Sequence, residues 1–322
     1  MQSSTHTTVL LHEACDALLP ERENVVLVDG TFGRGGHSRL LLSRMPKSAK
    51  LIALDRDESA EREALSITDE RFTFVRSTFG ALKTALQQIV VSRIDGLLLD
   101  IGVSSPQLDE AERGFSFMRD GPLDMRMDRS NGFSAAEWLA RASAREIADV
   151  IHDYGEERFA TRIATAIVTA RERQPIERTV QLAQIVEKAV PARGGKQHPA
   201  TKTFQAIRIH VNGELEELRM TLAQSLELLN PAARLAVISF HSLEDRIVKL
   251  WMRDESGKRA IDPRLLRLPP GAIKAPAALL SIVGKDVEPT QAEVSANPRA
   301  RSARLRVAER TGADFVASKV QA

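Results

Sequence analysis

The stretch VVLVDGTFGRGGHS, residues 25–38, decides the fold. Val25–Val28 is an apolar run of strand character that closes on Asp29, and Gly30, Gly33, Gly35 and Gly36 follow in quick succession. A buried strand that enters a glycine-rich turn and then a helix from about Ser38 is the opening unit of an open α/β sheet. Such sheets bind ligands at the C-terminal ends of their strands. Working outward, LIALD (51–55), FTFVR (72–76) and DGLLLD (95–100) read as further strands, with helical ESAEREALS and ALKTALQQIV between them. Strands alternating with helices require right-handed crossovers and a parallel sheet. The expected fold class is α/β, a doubly wound sheet.

The alternation stops near Pro106. From there to Gly213, SAAEWLARAS, EERFATRIATAIVTARER and VQLAQIVEKAV have helical character, and Pro175 and Pro191 punctuate them. Strand character returns in RLAVISF (234–240) and SARLRVAE (302–309), with helical SLEDRIVKLWM between. The reading is one sheet interrupted by a helical insertion. Residues 1–106 and 213–322 make the discontinuous sheet domain, and 107–212 the insertion. Residues 254–300, rich in Pro, Gly and small side chains, are expected to form a long, partly mobile loop.

The bulk properties exclude several classes. A chain of 322 residues with 43% hydrophobic and 27% charged residues is an ordinary soluble globular protein. It has no apolar run of membrane-span length, and its start, MQSSTHTTVL, has no signal-peptide character. A cytoplasmic protein with no membrane partner is expected. The single cysteine, Cys15, excludes an internal disulfide and a multi-cysteine zinc cluster. It lies in helical LLHEACDALL, where a buried, inert thiol is expected, and no metal site is expected anywhere. A net charge of +2 provides no strong whole-molecule field for nucleic acid, so RNA binding would rest on local patches. Two basic runs qualify, RGGKQHPATKTFQAIR (193–208) and RARSARLRVAER (299–310).

The glycine turn narrows the ligand. A dinucleotide fingerprint counted from Gly33 needs glycine at the sixth position, where Ser38 stands, and the turn lacks the lysine of a phosphate-cradling loop. Asp29 would repel a pyrophosphate and welcome an ammonium or sulfonium. That favours S-adenosylmethionine over NAD. Asp55 ends the second strand at the spacing of an acid that accepts from ribose hydroxyls. Asp100 opens DIGVSSPQ (100–107) at the end of the fourth strand. There a carboxylate and the carbonyls of Ser104–Pro106 are suited to accept from the N–H bonds of an amine as it gains positive charge. Methylation at cytosine C5 needs a cysteine nucleophile, and none lies near this turn. Amine or hydroxyl methylation is preferred.

Longer motifs carry a specific resemblance. HTTVLLHEA, DGTFGRGGHSR, ALDRD, DIGVSSPQLDEAERGFSFMRDGPLDMRMD, YGEERFATRIA, HPATKTFQAIRIHVN, ISFHSLEDRIVK and NPRARSARLRVAER run through the chain nearly end to end. Together they resemble the RsmH (MraW) family of bacterial small-subunit ribosomal RNA cytosine-N4 methyltransferases. The resemblance implies a class I S-adenosylmethionine-dependent methyltransferase fold, Rossmann-like, with a helical insertion that helps grip RNA. It implies direct in-line transfer to the exocyclic N4 of a cytosine in the decoding region of 16S ribosomal RNA. It carries the cofactor positions onto Gly35, Gly36, His37, Asp55, Phe79, Asp100 and Gln107. The departures are mild: Ile101 for leucine, Lys202 for arginine, and Ala232–Ala233 for a Gly-Gly pair.

On the substrate side, Arg113, Arg119 and Arg126 interleave with Phe115 and Phe117, a composition suited to splayed single-stranded RNA. A rigid loop with Asp124 and Asp128 paired internally is the competing account. His198, Lys202, Arg208 and the arginines from Arg299 to Arg306 are further candidates for backbone contact. His241 and Glu244 follow RLAVISF and are placed to border the active site, although helix capping by Ser242 also explains that stretch. An NAD-dependent oxidoreductase and a non-catalytic assembly factor are the alternative functions.

Overall fold

The computed structural model describes residues 8–19, 22–191, 198–258 and 277–315. Arg193 and Lys196 of the first basic run lie outside them, as do residues 259–276 of the expected loop. The chain divides into two compact units, Met1–Gly102 with Glu216–Ala322, and Val103–Leu215. The second unit begins four residues before and ends three residues after the expected insertion of 107–212.

The first unit is a seven-stranded sheet: β1 (Val26–Asp29), β2 (Lys50–Asp55), β3 (Phe72–Arg76), β4 (Ile94–Asp100), β5 (Leu229–Ser239), β6 (Leu280–Val287) and β7 (Arg304–Arg310). Their order is β3-β2-β1-β4-β5-β7-β6. The strands from β3 to β5 in that order are parallel, and β7 is antiparallel to both β5 and β6. This is the Rossmann-like arrangement of the class I methyltransferases, as expected. Alternation along each strand builds a core on either face. Val28, Ile52, Leu97, Leu99 and Val237 enter one cluster, while Leu27, Leu51, Leu98, Ala236 and Ile238 enter the other. Because β1 pairs with β2 on one side and β4 on the other, the chain's winding reverses between β1 and β4. Asp29 and Asp100 end the two strands that flank this switch point, where open α/β sheets place their ligands.

The second unit is helical, with helices at Ala135–Arg141, Ala144–Gly155, Ala160–Arg171, Thr179–Ala189 and Thr201–Asn212. Apolar residues four apart, Ile147/Ile151, Ile163/Ile167 and Leu182/Val186, enter one common core. Ser134 with Glu137, and Ser143 with Glu146, form capping boxes that define two helix starts.

One expectation is corrected. Within 254–300 the structure places β6 and a helix, Gln291–Ala296. The sequence concealed β6 because it is an edge strand, exposed along most of its length, so it lacks the apolar alternation of a half-buried strand. Gly284, at φ +67°, also interrupts it. No helix among the described residues is long and apolar enough to cross a membrane.

Candidate functional site

The turn after β1 is built from inside. Asp29 is 1% exposed, and its two oxygens accept from the Thr31 N–H at 3.2 Å and from Ser38 Oγ at 2.7 Å. The carboxylate expected to meet a ligand directly is thus the internal anchor of the loop. Gly33 donates its N–H to Asp55 Oδ2 at 2.8 Å, and the Asp57 N–H donates to Asp55 Oδ1 at 2.9 Å. These bonds tie the loop to the end of β2. Asp55 retains partial exposure and unused lone pairs, as a ribose-binding acid requires.

The glycines answer to the protein as well as to a ligand. Gly35 has φ +69°, and a β-carbon there would lie 2.7 Å from the Phe32 ring. A β-carbon on Gly36 would collide with the Thr8 hydroxyl. Cys15 is fully buried beneath the loop, its Sγ 3.7 Å from the His37 carbonyl. Burial pushes its thiol up to about 12, which leaves it un-ionised and inert, as the sequence suggested.

His37 is buried at the start of the helix Gly36–Arg44, its Nδ1 3.7 Å from Asp100 Oδ2. The Asp100 N–H donates to Thr31 Oγ1 at 2.6 Å, so one hydroxyl couples the glycine turn to the end of β4. Thr31 was not singled out in the sequence; its only signal is a hydroxyl between Gly30 and the later glycines. Asp100 Oδ1 is buried and has no hydrogen-bond partner among the described residues. Although 23% of the side chain reaches solvent, the packed protein around the carboxyl holds it well above the usual carboxylate range. Burial is the main cause, followed by the charges of Asp29 and Glu244.

Glu244 is fully buried, accepts from the Phe240 N–H at 2.8 Å, and lies 2.9 Å from His241 Nε2. His241, rather than Ser242, is the cap of the following helix. Phe79 opens a 3-10 turn just beyond β3, is 9% exposed and belongs to the sheet core. Gln107 is 5% exposed, and its Oε1 accepts from the Ser104 N–H at 2.9 Å in a capping box.

A carboxylate-rich switch point is suited to a cationic ligand without phosphates. Asp29, Asp55 and Asp100 close β1, β2 and β4, and Asp100 Oδ1 is buried without a hydrogen-bond partner among the described residues. S-adenosylmethionine, with its ammonium and sulfonium, fits this donor set.

Asp29 makes a stability prediction. Burial raises its carboxyl from the ordinary 3.8 to about 6, partly offset by the Ser38 and Thr31 bonds. Between those values the folded chain holds a proton that the unfolded chain has released. The contribution of this group to stability is therefore greatest below pH 3.8 and falls as pH climbs to about 6, by about 3 kcal/mol. Asp29→Asn is expected to flatten that part of the profile, as measured by urea unfolding from pH 4 to 6.5. An unchanged slope would assign the pH dependence to other groups.

The candidate substrate residues divide into internal and surface sets. Arg113 is 6% exposed, donates to the Arg126 and Met127 carbonyls at 3.2 and 3.0 Å, and lies 5.7 Å from the Phe115 ring centroid. Phe115 is itself buried. Arg126 grips Asp124 through Nε at 2.8 Å and Nη2 at 3.1 Å. Arg208 grips Glu214 at 2.8 and 2.9 Å. Against the expectation of RNA contact, these four side chains make the internal framework of the helical unit. The rigid-loop account fits this stretch better, with Asp128 accepting from Ser130 and Asn131.

The more accessible candidates are fewer. Arg119 is exposed and donates to the Asp109 carbonyl at 3.1 Å. His198 is exposed, its ring tilted against Phe117 with centroids 4.6 Å apart. Lys202 is partly exposed, with its Nζ 2.9 Å from the Glu156 carbonyl. In the late basic run, Arg304 and Arg306 pair with Asp286, Glu288 and Asp245, and Arg310 is buried against carbonyls. Arg299 and Arg301 remain on the surface.

Comparison with known proteins places the chain. A protein from Nitrosomonas eutropha named ribosomal RNA small subunit methyltransferase H is 57% identical over 308 residues, covering 95% of this chain and 97% of its own. Its namesake from Nitrosospira multiformis is 54% identical over 311 residues, covering 96% and 98%. Among solved structures, an rRNA methylase from Streptococcus thermophilus covers 92% of each chain at 10% identity, with a TM-score of 0.37. The MraW methylase family matches residues 3–311, and the chain belongs to that family.

Proposed function

We propose that this chain transfers a methyl group from S-adenosylmethionine to the exocyclic N4 of a cytosine in the decoding region of 16S ribosomal RNA. The substrate is the RNA of the small ribosomal subunit, and the reaction takes place in the cytoplasm. The observation that carries the reading is Asp100: a carboxyl at the switch point of a methylase-family sheet, with one buried oxygen lacking a partner among the described residues. The relatives' small-subunit rRNA methyltransferase names support the substrate class.

When bound, S-adenosylmethionine supplies an electrophilic methyl group open to in-line displacement. Gly35, Gly36 and His37 hold its amino-acid end, Asp55 accepts from the ribose hydroxyls, and Phe79 lines the remainder. Asp100 accepts from the N–H of the target amine, whose lone pair is otherwise delocalised into the ring, and takes the proton that the methylated amine must lose. Cationic charge entering beside Asp55 and Asp100 favours their ionised forms, and the ionised form of Asp100 is the one that can accept. The helical unit recognises RNA, with Arg119, His198 and Lys202 as its accessible candidates.

The test is methyl transfer from labelled S-adenosylmethionine to small subunits lacking the modification, read by nucleoside mass spectrometry. N4-methylcytidine is the expected product. Methyl transfer to a different atom would displace the N4 assignment. Intact cofactor binding without transfer to subunits or free ribosomal RNA would favour an assembly-factor role.

A further inference from the structure

HTTVLLHEA has no role in the chemistry described so far, yet its described part touches the cofactor loop. Thr8 lies against Gly36 so closely that a β-carbon on that glycine would collide with Thr8 Oγ1 and lie 2.9 Å from Thr8 Cβ. Val9 and Leu10 are buried in one cluster with Leu41 and Leu42 of the helix that Gly36 begins, and with Ala300 and Ala303. Leu10 caps the helix Leu11–Leu18 in the left-handed region, at φ 50° and ψ 37°, with no side-chain cap. That conformation costs a β-carbon-bearing residue about 1–2 kcal/mol and persists only where the surroundings enforce it. The enforcing contact comes from the far end of the chain: the Leu10 N–H donates to Glu293 Oε1 at 2.7 Å. Glu293 is held in turn in the helix Gln291–Ala296, whose Thr290 cap accepts from the Glu293 N–H at 3.2 Å.

We propose that residues 8–10 are a strap that positions the cofactor loop, with Thr8 bracing Gly36 and Glu293 as the latch that holds the strap through Leu10. The strap rests on the reading of the Gly35–His37 loop as the cofactor site. Thr8 and Glu293 act as positioning residues, so their loss weakens cofactor binding more than turnover at saturation.

The experiment combines amide hydrogen exchange of the ligand-free protein with calorimetric binding of S-adenosylmethionine and steady-state kinetics. Glu293→Ala is expected to speed exchange at Leu10 and weaken cofactor binding about three- to tenfold, the scale of one hydrogen bond. The value of kcat should stay near wild type. Glu293→Gln keeps an acceptor and should restore both. Thr8→Ala removes most of the brace and should also weaken binding, whereas Thr8→Val keeps the shape that meets Gly36 and should bind like wild type. Faster exchange at Leu10 with unchanged affinity in Glu293→Ala would overturn the coupling, and unchanged exchange would overturn the latch. Unchanged affinity in Thr8→Ala, or equal weakening in Thr8→Val, would overturn the brace. Failure of the wild-type protein to bind S-adenosylmethionine would overturn the reading of the loop, and the strap with it.

Discussion

Asp100→Asn is expected to lower methyl transfer about 10²–10³-fold, the usual cost of removing one preorganised polar group from the place where charge develops. The substitution changes shape little and removes the charge. Asp100 ends β4 at the switch point, its backbone tied to Thr31 and one oxygen buried without a partner among the described residues. The carboxyl is raised because burial and the charges of Asp29 and Glu244 disfavour ionisation. A group in that state responds strongly to a nearby cation, and asparagine cannot. Equilibrium binding of S-adenosylmethionine to the same variant separates two roles. Retained affinity with lost turnover places Asp100 on the target amine. Affinity lost in step with turnover places it on the cofactor. Wild-type turnover in the variant would remove Asp100 from the chemistry altogether.

Arg208→Ala is expected to cost the helical unit about 3–5 kcal/mol, because it leaves a buried carboxylate without its cation. Glu214 is 2% exposed and Arg208 14%, joined by two parallel bonds across the end of the helix Thr201–Asn212. The same corner carries Asn212, whose side chain accepts from the Met127 N–H and donates to the Met125 carbonyl, both at 2.8 Å. Urea unfolding measures the loss. The double variant Arg208→Met with Glu214→Leu should recover most of it, since replacing a whole buried pair with apolar side chains is often close to neutral. An RNA-contact role makes the opposite prediction: Arg208→Ala would fold with normal stability and bind RNA with a shallower salt dependence. That outcome would return Arg208 to the RNA-binding set.

The fold was legible where burial and periodicity agree. The runs at 51–55, 72–76 and 95–100 correspond to strands that begin within a residue of those bounds. β6 was not legible, because a sheet edge places little demand on side-chain polarity and leaves no alternation to read. Among the candidate site residues, the places of Asp55 and Asp100 at strand ends were legible, as was the glycine turn from its density. The partners of these residues were not. Thr31 under Asp100, Ser38 under Asp29 and Thr8 against Gly36 are single hydroxyl residues that composition cannot rank.

The arginines show the same limit. Arg113, Arg119 and Arg126 are alike in the sequence, all set among phenylalanines and aspartates. Folding buries the first against carbonyls, locks the third onto Asp124 and leaves the second on the surface. The sequence by itself determined the α/β alternation, the helical insertion and the family, because these rest on short-range pattern and on long motifs. Only the tertiary structure decided which charged side chains are framework and which are accessible, and that an N-terminal strap is held by Glu293. Each of those outcomes depends on which group of opposite polarity lies within about 3 Å, and between Leu10 and Glu293 that neighbour comes from the other end of the chain.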